Sequence, residues 1–459
     1  MNLCRLTLIT SLLFAAMGCG KGFLEVRPST NVLTPTSLED YQMMLDYFQL
    51  NSTSSLPQLS ADEYYIPLER DWLALTPTER NAYVWKADVY GGQYSRDDWN
   101  VPYESVLYAN SILDGLKEFD VQASNRNQYN YIRGQAYFVR AFSFFDLVKN
   151  FADPYDSRTA AQKLGVPLKL SPNVDELVPR ATVGETYRQI ISDLQLATAL
   201  LPPEVPLLRN RASRPAAYAL FARLYLSMRE YELAALFADS CLALYDKLID
   251  YNNVQLNSLT PFSVDNDECI FRARYAAGYA ATLYNTSINI QISDELLESY
   301  DGHDLRRQLY FVQNVNTKLV KARRGYSGPS NYPFSGLATD EMYLIRAECR
   351  ARAGNLDGAV ASLNCLLERR YAAGKYIRFE GGDGTLVLQK ILAERRKSLV
   401  WRAGLRWDDL RRLNLEGADI TITRTIGDKT HVLEPNSSRY TFPIPDQEIS
   451  MSNLEQNIR

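Results

Sequence analysis

Histidine is almost missing from this chain, with only His303 and His431 among 459 residues. Neither lies in a metal-binding or triad-like context, and there is no GxSxG elbow, P-loop or HExxH helix, so nucleophilic and zinc-dependent chemistries lack their usual residues. Cysteine is also scarce. Cys241, Cys269, Cys349 and Cys365 follow no CxxC or zinc spacing. Cys241, Cys349 and Cys365 fall within helical patterns, where small buried thiols are expected more than disulfides, although an exported location would permit either. An excess of positive charge is lacking: 50 Lys+Arg against 54 Asp+Glu give a net charge of -4, which removes the electrostatic case for nucleic acid. No Pro/Gly/Ser-rich linker or charge run divides the body, so one large unit with long loops is expected, although the length alone would allow about three domains. Past the first residues, no apolar run is long enough to cross a bilayer.

What is present begins at the N-terminus. Arg5 gives a thin positive start, Leu6 to Met17 forms an apolar run too short to span a membrane, and Ala16, Met17 and Gly18 lead into Cys19. This pattern predicts a lipoprotein export signal, with residues 1–18 removed and Cys19 lipidated. The plainer alternative is an ordinary secretory signal cut near Ala16, with Cys19 incidental. Two or three acyl chains on one cysteine would make a lasting anchor where a single chain holds only marginally. The body is 46% hydrophobic and 23% charged, as in ordinary globular proteins, but its 30 Tyr outnumber its 17 Phe. A tyrosine can stack on a ligand while its hydroxyl stays wet.

Helical hairpins dominate the pattern. Thr182-Val183-Gly184-Glu185 has capping-box spacing, and Tyr187, Ile190, Ile191, Leu194, Ala197 and Leu201 then recur on one face until Pro202-Pro203 ends the helix. Ser213 and Pro215 open the next helix, a tight connection follows at Arg229-Glu230, and a partner helix runs from Tyr231 to Tyr245. Laying Ala222 on Ala347, an offset of 347 − 222 = 125, pairs Leu226 with Ala351, Tyr231 with Leu356 and Ala234 with Ala359, the self-similarity of tetratricopeptide-type units. The offset is no multiple of a roughly 34-residue repeat, so a segment of about 247–337, rich in Tyr, Asn, Ser and Gly, is inserted between the copies. An earlier pair spans Trp99 to Leu116 and Gln128 to Phe151, with Tyr137, Phe138, Phe142, Phe144 and Phe145 in one packed stretch. Such hairpins bury their apolar faces only by stacking.

Longer stretches resemble a known family. Phe23-Leu24-Glu25 and Pro28 after Cys19, Gly134 to Ala141 leading to Phe145-Asp146-Leu147-Val148, and Gly165-Val166-Pro167-Leu168 are similar to segments of the SusD/RagB nutrient-binding lipoproteins of the Bacteroidetes outer membrane. So are Arg180 through Leu201-Pro202, Glu394-Arg395-Arg396-Lys397 through Arg406-Trp407-Asp408-Asp409-Leu410-Arg411-Arg412, and Phe442-Pro443-Ile444-Pro445 with Asn453, Gln456 and Asn457. The resemblance covers nearly the whole chain. There are departures: Ser398 stands where the family has Glu, removing one ion-pair partner; Arg402-Ala403-Gly404 carries an extra residue; and Gly20-Lys21-Gly22 lacks an acidic export cluster.

The resemblance implies a mostly α-helical fold: a TPR-like scaffold of hairpins near 99–151, 181–246 and 338–412, the loop-rich insertion 247–337, few short strands, and residues 19–459 as one domain. It also implies an outer-membrane lipoprotein that captures an oligosaccharide, or an oligopeptide, and lids a SusC-like TonB-dependent β-barrel transporter, with no enzymatic activity and no cofactor or metal. A second class of function is a scaffold that binds another protein and has no ligand of its own. At the position where the family's starch-binding member carries stacking aromatics, this chain has Asp62, Tyr64, Tyr65 and Trp72; within the insertion, Tyr279, Tyr326, Asn331 and Tyr332 are further ligand-binding candidates. For each tyrosine the plainer alternative is packing within a loop-rich lobe, and Trp85, Trp99, Trp401 and Trp407 are expected in the core. Asp408 and Asp409 could suggest a glycosidase pair, but neighbouring helical residues point about 100 degrees apart, which suits ion pairing better than flanking one bond.

Overall fold

The computed structural model describes residues 35–94, 97–282, 288–323 and 325–459. The expected signal segment and Cys19 lie outside the described residues.

Local signals place the helix starts. Helix α1 (Leu38–Leu45) opens with a reciprocal capping box, in which Ser37 and Asp40 satisfy each other's backbone N–H. Helices α2 (Asp97–Gly115) and α3 (Arg126–Phe151) form the first pair. From Gly134 onward α3 is buried almost all round, including Phe138, Phe142, Phe144 and Phe145, which makes it the central helix of the stack. Helix α4 (Val183–Leu200) starts at the capping box predicted from sequence: the Glu185 N–H donates to Thr182 Oγ1 at 3.1 Å, and the Thr182 N–H to Glu185 Oε2 at 2.8 Å. It packs on α3 through Tyr187, Ile190, Leu194 and Ala197.

Helices α5 (Arg214–Met228) and α6 (Tyr231–Leu244) form a hairpin, as do α7 (Thr339–Arg352) and α8 (Leu356–Leu367). Their turns correspond: Arg229 (φ 64) and Gly354 (φ 78) both adopt the left-handed backbone, and 354 − 229 = 125, the offset found in the sequence. Although the intervening segment is long, α6 packs directly on α7. Segment 245–338 therefore leaves the stack and returns without breaking it. Its two ends are tied together, since Thr339 Oγ1 donates to the Lys247 carbonyl at 2.5 Å and the Tyr343 hydroxyl to that of Asp246 at 3.3 Å. The returning chain passes so close to its neighbour that a Cβ on Gly336 would sit 1.9 Å from the Phe271 carbonyl oxygen. Helices α9 (Gly384–Ser398) and α10 (Leu405–Asn414) complete the scaffold.

Short strands join the loops to the insertion. Strand β1 (Ser52–Thr53) pairs in parallel with β3 (Arg274–Tyr275), and β2 (Tyr64–Tyr65) pairs antiparallel with β4 (Gln291–Ile292). A C-terminal hairpin, β5 (Ile422–Ile426) and β6 (Lys429–Leu433), alternates buried and exposed residues along β5 and plugs Arg424 into the carbonyls of Leu59, Ala61 and Tyr83.

The charged signature near residue 400 is an interior ion-pair network. Arg412 meets Glu348 at 2.6 Å and Asp409 at 2.8 Å, Arg395 meets Asp409 at 2.9 Å, and Arg306 meets Asp304 at 2.6 Å and Glu394 at 2.7 Å. At the position of the family's Glu, the hydroxyl of Ser398 accepts from Arg306 at 2.8 Å, so a neutral acceptor fills the gap. Trp85, Trp99, Trp401 and Trp407 are all buried, as expected. Cys241, Cys269, Cys349 and Cys365 are all free thiols. Cys365 departs from expectation: its side of α8 faces solvent, so a helical pattern around a cysteine did not guarantee burial.

Candidate functional site

The sequence-derived candidates separate into those engaged inside the protein and those left at its surface. Asp62 forms a fork with Arg406, two contacts of 2.7 Å, and pairs with Arg396 at 3.3 Å. Burial works against its charge, but Arg406 and Arg396 prevail and hold the carboxyl down at about 2. Tyr64 is only 3% exposed; its ring packs on Trp401 and Tyr83, and its hydroxyl donates to the Leu59 carbonyl at 3.0 Å. Tyr279 donates to Asp98 at 2.8 Å and Tyr326 donates to Glu268; both rings are buried. Tyr64, Tyr279 and Tyr326 therefore offer no free ring face.

Tyr65 is 37% exposed at the end of β2, with its hydroxyl on Asp294 at 3.0 Å. Trp72 is half-buried and donates its indole N–H to the Arg80 carbonyl at 3.3 Å, while its neighbour Asp71 accepts from Asn289 at 3.1 Å. Asn331 is exposed and Tyr332 half-buried. Of the eight candidates, only Tyr332 lines the cleft described next.

That cleft, of about 290 Å³, forms where three stretches of chain meet. The first follows α1 and carries Asp46, Tyr47, Phe48 and Asn51. The second contributes Asn210. The third comes from the insertion, with Arg272, Arg274, Ser327, Ser330 and Tyr332. Backbone bonds fix the junction: the Arg274 N–H donates to the Asn51 carbonyl at 3.0 Å, the Arg272 N–H to Arg209 at 2.7 Å, and the Ser335 N–H to Ala273 at 2.9 Å. The Asn51 side chain ties in the second stretch by donating to the Asn210 carbonyl at 2.6 Å.

Arg274 stands at its centre, its guanidinium carbon 4.6 Å from the ring centroid of Phe48 and 4.6 Å from that of Tyr332. Phe48 is 62% exposed and meets Tyr47 edge-on, and Tyr47 in turn stacks on Tyr108. Sequence reasoning missed Phe48, Asn51 and Arg274. A signal for Arg274 existed: along Phe271-Arg272-Ala273-Arg274-Tyr275 apolar and charged residues alternate, which puts the two arginines on one side of an extended chain, and burial alternates in the same way.

Asp409 is buried and Asp408 partly buried, and both carboxylates are committed elsewhere. Asp408 faces Lys149 at 3.3 Å, and Asp409 is gripped by Arg395 and Arg412. They hold the scaffold together and do not border the cleft.

Comparison with known proteins bears on the fold and the family. A family model described as "Starch-binding associating with outer membrane" matches residues 22–226, and one described as "SusD family" matches residues 314–458. A SusD-like protein P2 of Formosa agariphila is 25% identical over 419 residues, covering 78% of this chain and 79% of the relative. Among solved structures, a putative sugar binding protein from Bacteroides vulgatus superposes with a TM-score of 0.73 at 22% identity, covering 92% of this chain and 99% of the other. A SusD superfamily protein from Bacteroides thetaiotaomicron does so with a TM-score of 0.73 at 22% identity, covering 92% and 100%. With two family models spanning both ends and the same helical architecture in solved relatives, the chain belongs to the SusD family.

Proposed function

We propose that this protein captures an oligosaccharide at the outer membrane and hands it to a SusC-like TonB-dependent β-barrel transporter, which it covers as a lid. The observation that carries this reading is the cleft. It combines ring surface from Phe48 and Tyr332, which suits the apolar faces of sugars, with the amides of Asn51 and Asn210 and the hydroxyls of Ser327 and Ser330, which suit sugar hydroxyls. The Ser327 hydroxyl is buried without a partner, an interior polar group of the kind that a ligand would complete.

The reading is one of binding. The carboxylates nearest to a glycosidase arrangement in sequence, Asp408 and Asp409, are neutralised by buried cations. Two or three ring contacts and a few hydrogen bonds, each contributing about 1 kcal/mol, give millimolar to high-micromolar affinity, enough for a multivalent polymer. The anchor would be lipid on Cys19, at the end of the short apolar run from Leu6 to Met17. The helical stack provides a broad rigid face for the transporter.

Isothermal titration of the detergent-solubilised mature protein against a glycan and peptide panel tests the reading, repeated with Phe48→Ala and Tyr332→Ala. Binding to one glycan class, weakened about tenfold by either change, is expected. Binding that ignores both substitutions moves the site to the surface around Tyr65 and Trp72, and a response to peptides alone overturns the sugar assignment. Radiolabelled palmitate should enter the wild type and not Cys19→Ala.

A further inference from the structure

The charges around the cleft do not cancel. Asp46 is held by Arg211 in a fork of 2.6 and 2.9 Å, and Arg272 is matched by Asp265 at 3.0 Å. Arg274 is left over. Among the described residues no ion pair and no side-chain hydrogen bond involves it, and its Nε is buried with no partner. Arg209, next to the cleft residue Asn210, is also buried, with Nε and Nη1 unpartnered and its Nη2 on the Tyr245 hydroxyl at 3.2 Å. Two guanidinium groups therefore stand at one junction without an ion-pair partner among the described residues.

The setting of Arg274 selects what can supply that charge. Phe48 and Tyr332 both lie near 4.6 Å from the guanidinium carbon and take up its faces, leaving the N–H edge as the part that can meet a ligand. A guanidinium edge carries parallel N–H donors whose spacing matches two oxygens of a carboxylate or sulfate, which a single neutral hydroxyl does not. Burial also draws the Arg274 pKa down from its usual value, the mark of a cation short of solvent, while leaving it charged at neutral pH. The unpartnered hydroxyl of Ser327 lines the same cleft and adds a donor for a third oxygen.

We infer that the cleft takes a negatively charged glycan, seating a uronate carboxylate or a sulfate ester on the edge of Arg274. The inference rests on the proposed capture of oligosaccharides and narrows it to an acidic class.

Matched probes test it on the full mature protein in detergent. One pair is oligogalacturonate and its methyl-esterified, neutral counterpart; the other is sulfated dextran and dextran, so the two arms separate the carboxylate from the sulfate. At least one acidic member should bind about 10- to 100-fold more tightly than its neutral partner, and Arg274→Gln should abolish that preference, so that the acidic and neutral members of each pair bind alike. Arg274→Lys should recover only part of it, because an ammonium keeps the charge and loses the fork. The preference should shrink as salt rises from about 0.05 to about 0.5 M. Arg158→Gln, at an exposed site outside the cleft lining, controls for overall charge, and unchanged thermal melting controls for folding. If neutral and acidic partners bind equally, or if Arg274→Gln leaves the preference intact, the acidic assignment fails while capture of sugars stands. If no glycan of either kind binds, both fall together.

Discussion

The helical stack and the segment 245–338 inserted in it both bury polar groups, but they satisfy them at different ranges. In the stack, backbone groups pair within each helix and the apolar faces of neighbouring hairpins cover one another, so most partners lie nearby in sequence. In the insertion the strands are only two or three residues long, and side chains do the joining. Tyr251 meets Tyr310 at 2.7 Å, Tyr326 reaches Glu268, Glu268 pairs with Arg370 of the scaffold at 2.7 Å, and the Tyr300 hydroxyl donates to the Lys397 carbonyl at 2.8 Å. The insertion is thus joined to the stack by side chains, whereas α6 and α7 meet directly across its base.

The largest expected effect comes from cutting that connection. Arg370→Met leaves Glu268 charged and buried with no cation, and should cost about 3–5 kcal/mol in denaturant unfolding. The double change with Glu268→Gln should recover a large part of the loss, because the unpaired charge is gone. Far-UV ellipticity at low denaturant should survive while proteolysis within 245–338 speeds up. Simultaneous loss of both signals would mean that the two regions do not differ as described.

A cut inside the stack should behave in the opposite way. Leu363, fully buried on α8, should cost about 2–5 kcal/mol as Leu363→Ala, with helical signal and protease resistance lost together.

At the seam between the regions, acidity provides a gentler test. Glu63 accepts from the Trp401 N–H at 3.1 Å and from Gln58 at 2.6 Å, and its backbone carbonyl accepts the Ser293 N–H. Desolvation pushes its carboxyl up from 4.5 to about 7. The folded state then holds this proton more tightly than the unfolded state, so the contribution is full below about pH 4.5 and is lost as pH rises through about 7. Asp146, raised by burial to about 6, acts in the same direction. Asp62 and Glu394 act in the opposite direction, because neighbouring cations outweigh burial and hold each at about 2, so stability falls once pH drops below the ordinary carboxylate range. Glu63→Gln, permanently neutral, should flatten the melting-temperature profile between about pH 4.5 and pH 7. An unchanged slope would remove Glu63 from the account.

The smallest effect is local to the stack. Thr182→Ala removes one cap of α4 and should cost about 1 kcal/mol without touching ligand binding.

The same contrast explains what the sequence revealed. The Thr182 box, the face from Tyr187 to Leu201 and the 125-residue correspondence of two hairpins are local or periodic signals, and each has its counterpart in the fold. The alternating charges around Arg406 could be read as ion pairing because opposite signs stood together. Tyr64, Tyr279 and Tyr326 resisted such reading: each lies in a loop-like polar context, and only the fold brings up Leu59, Asp98 or Glu268 to receive its hydroxyl. Arg274 lay between these cases. Its period-two partnership with Arg272 was visible, but the rings that cover its faces come from Phe48 and Tyr332, distant in the chain.

The bond from Thr339 to the Lys247 carbonyl closes the base of the insertion like a drawstring. With both ends pinned to adjoining helices, the chain between them can lengthen or shorten cheaply, since doubling a loop costs only about 0.6 kcal/mol. Segments of other lengths could therefore be carried on the same frame, provided that each brings its own acid for Arg370.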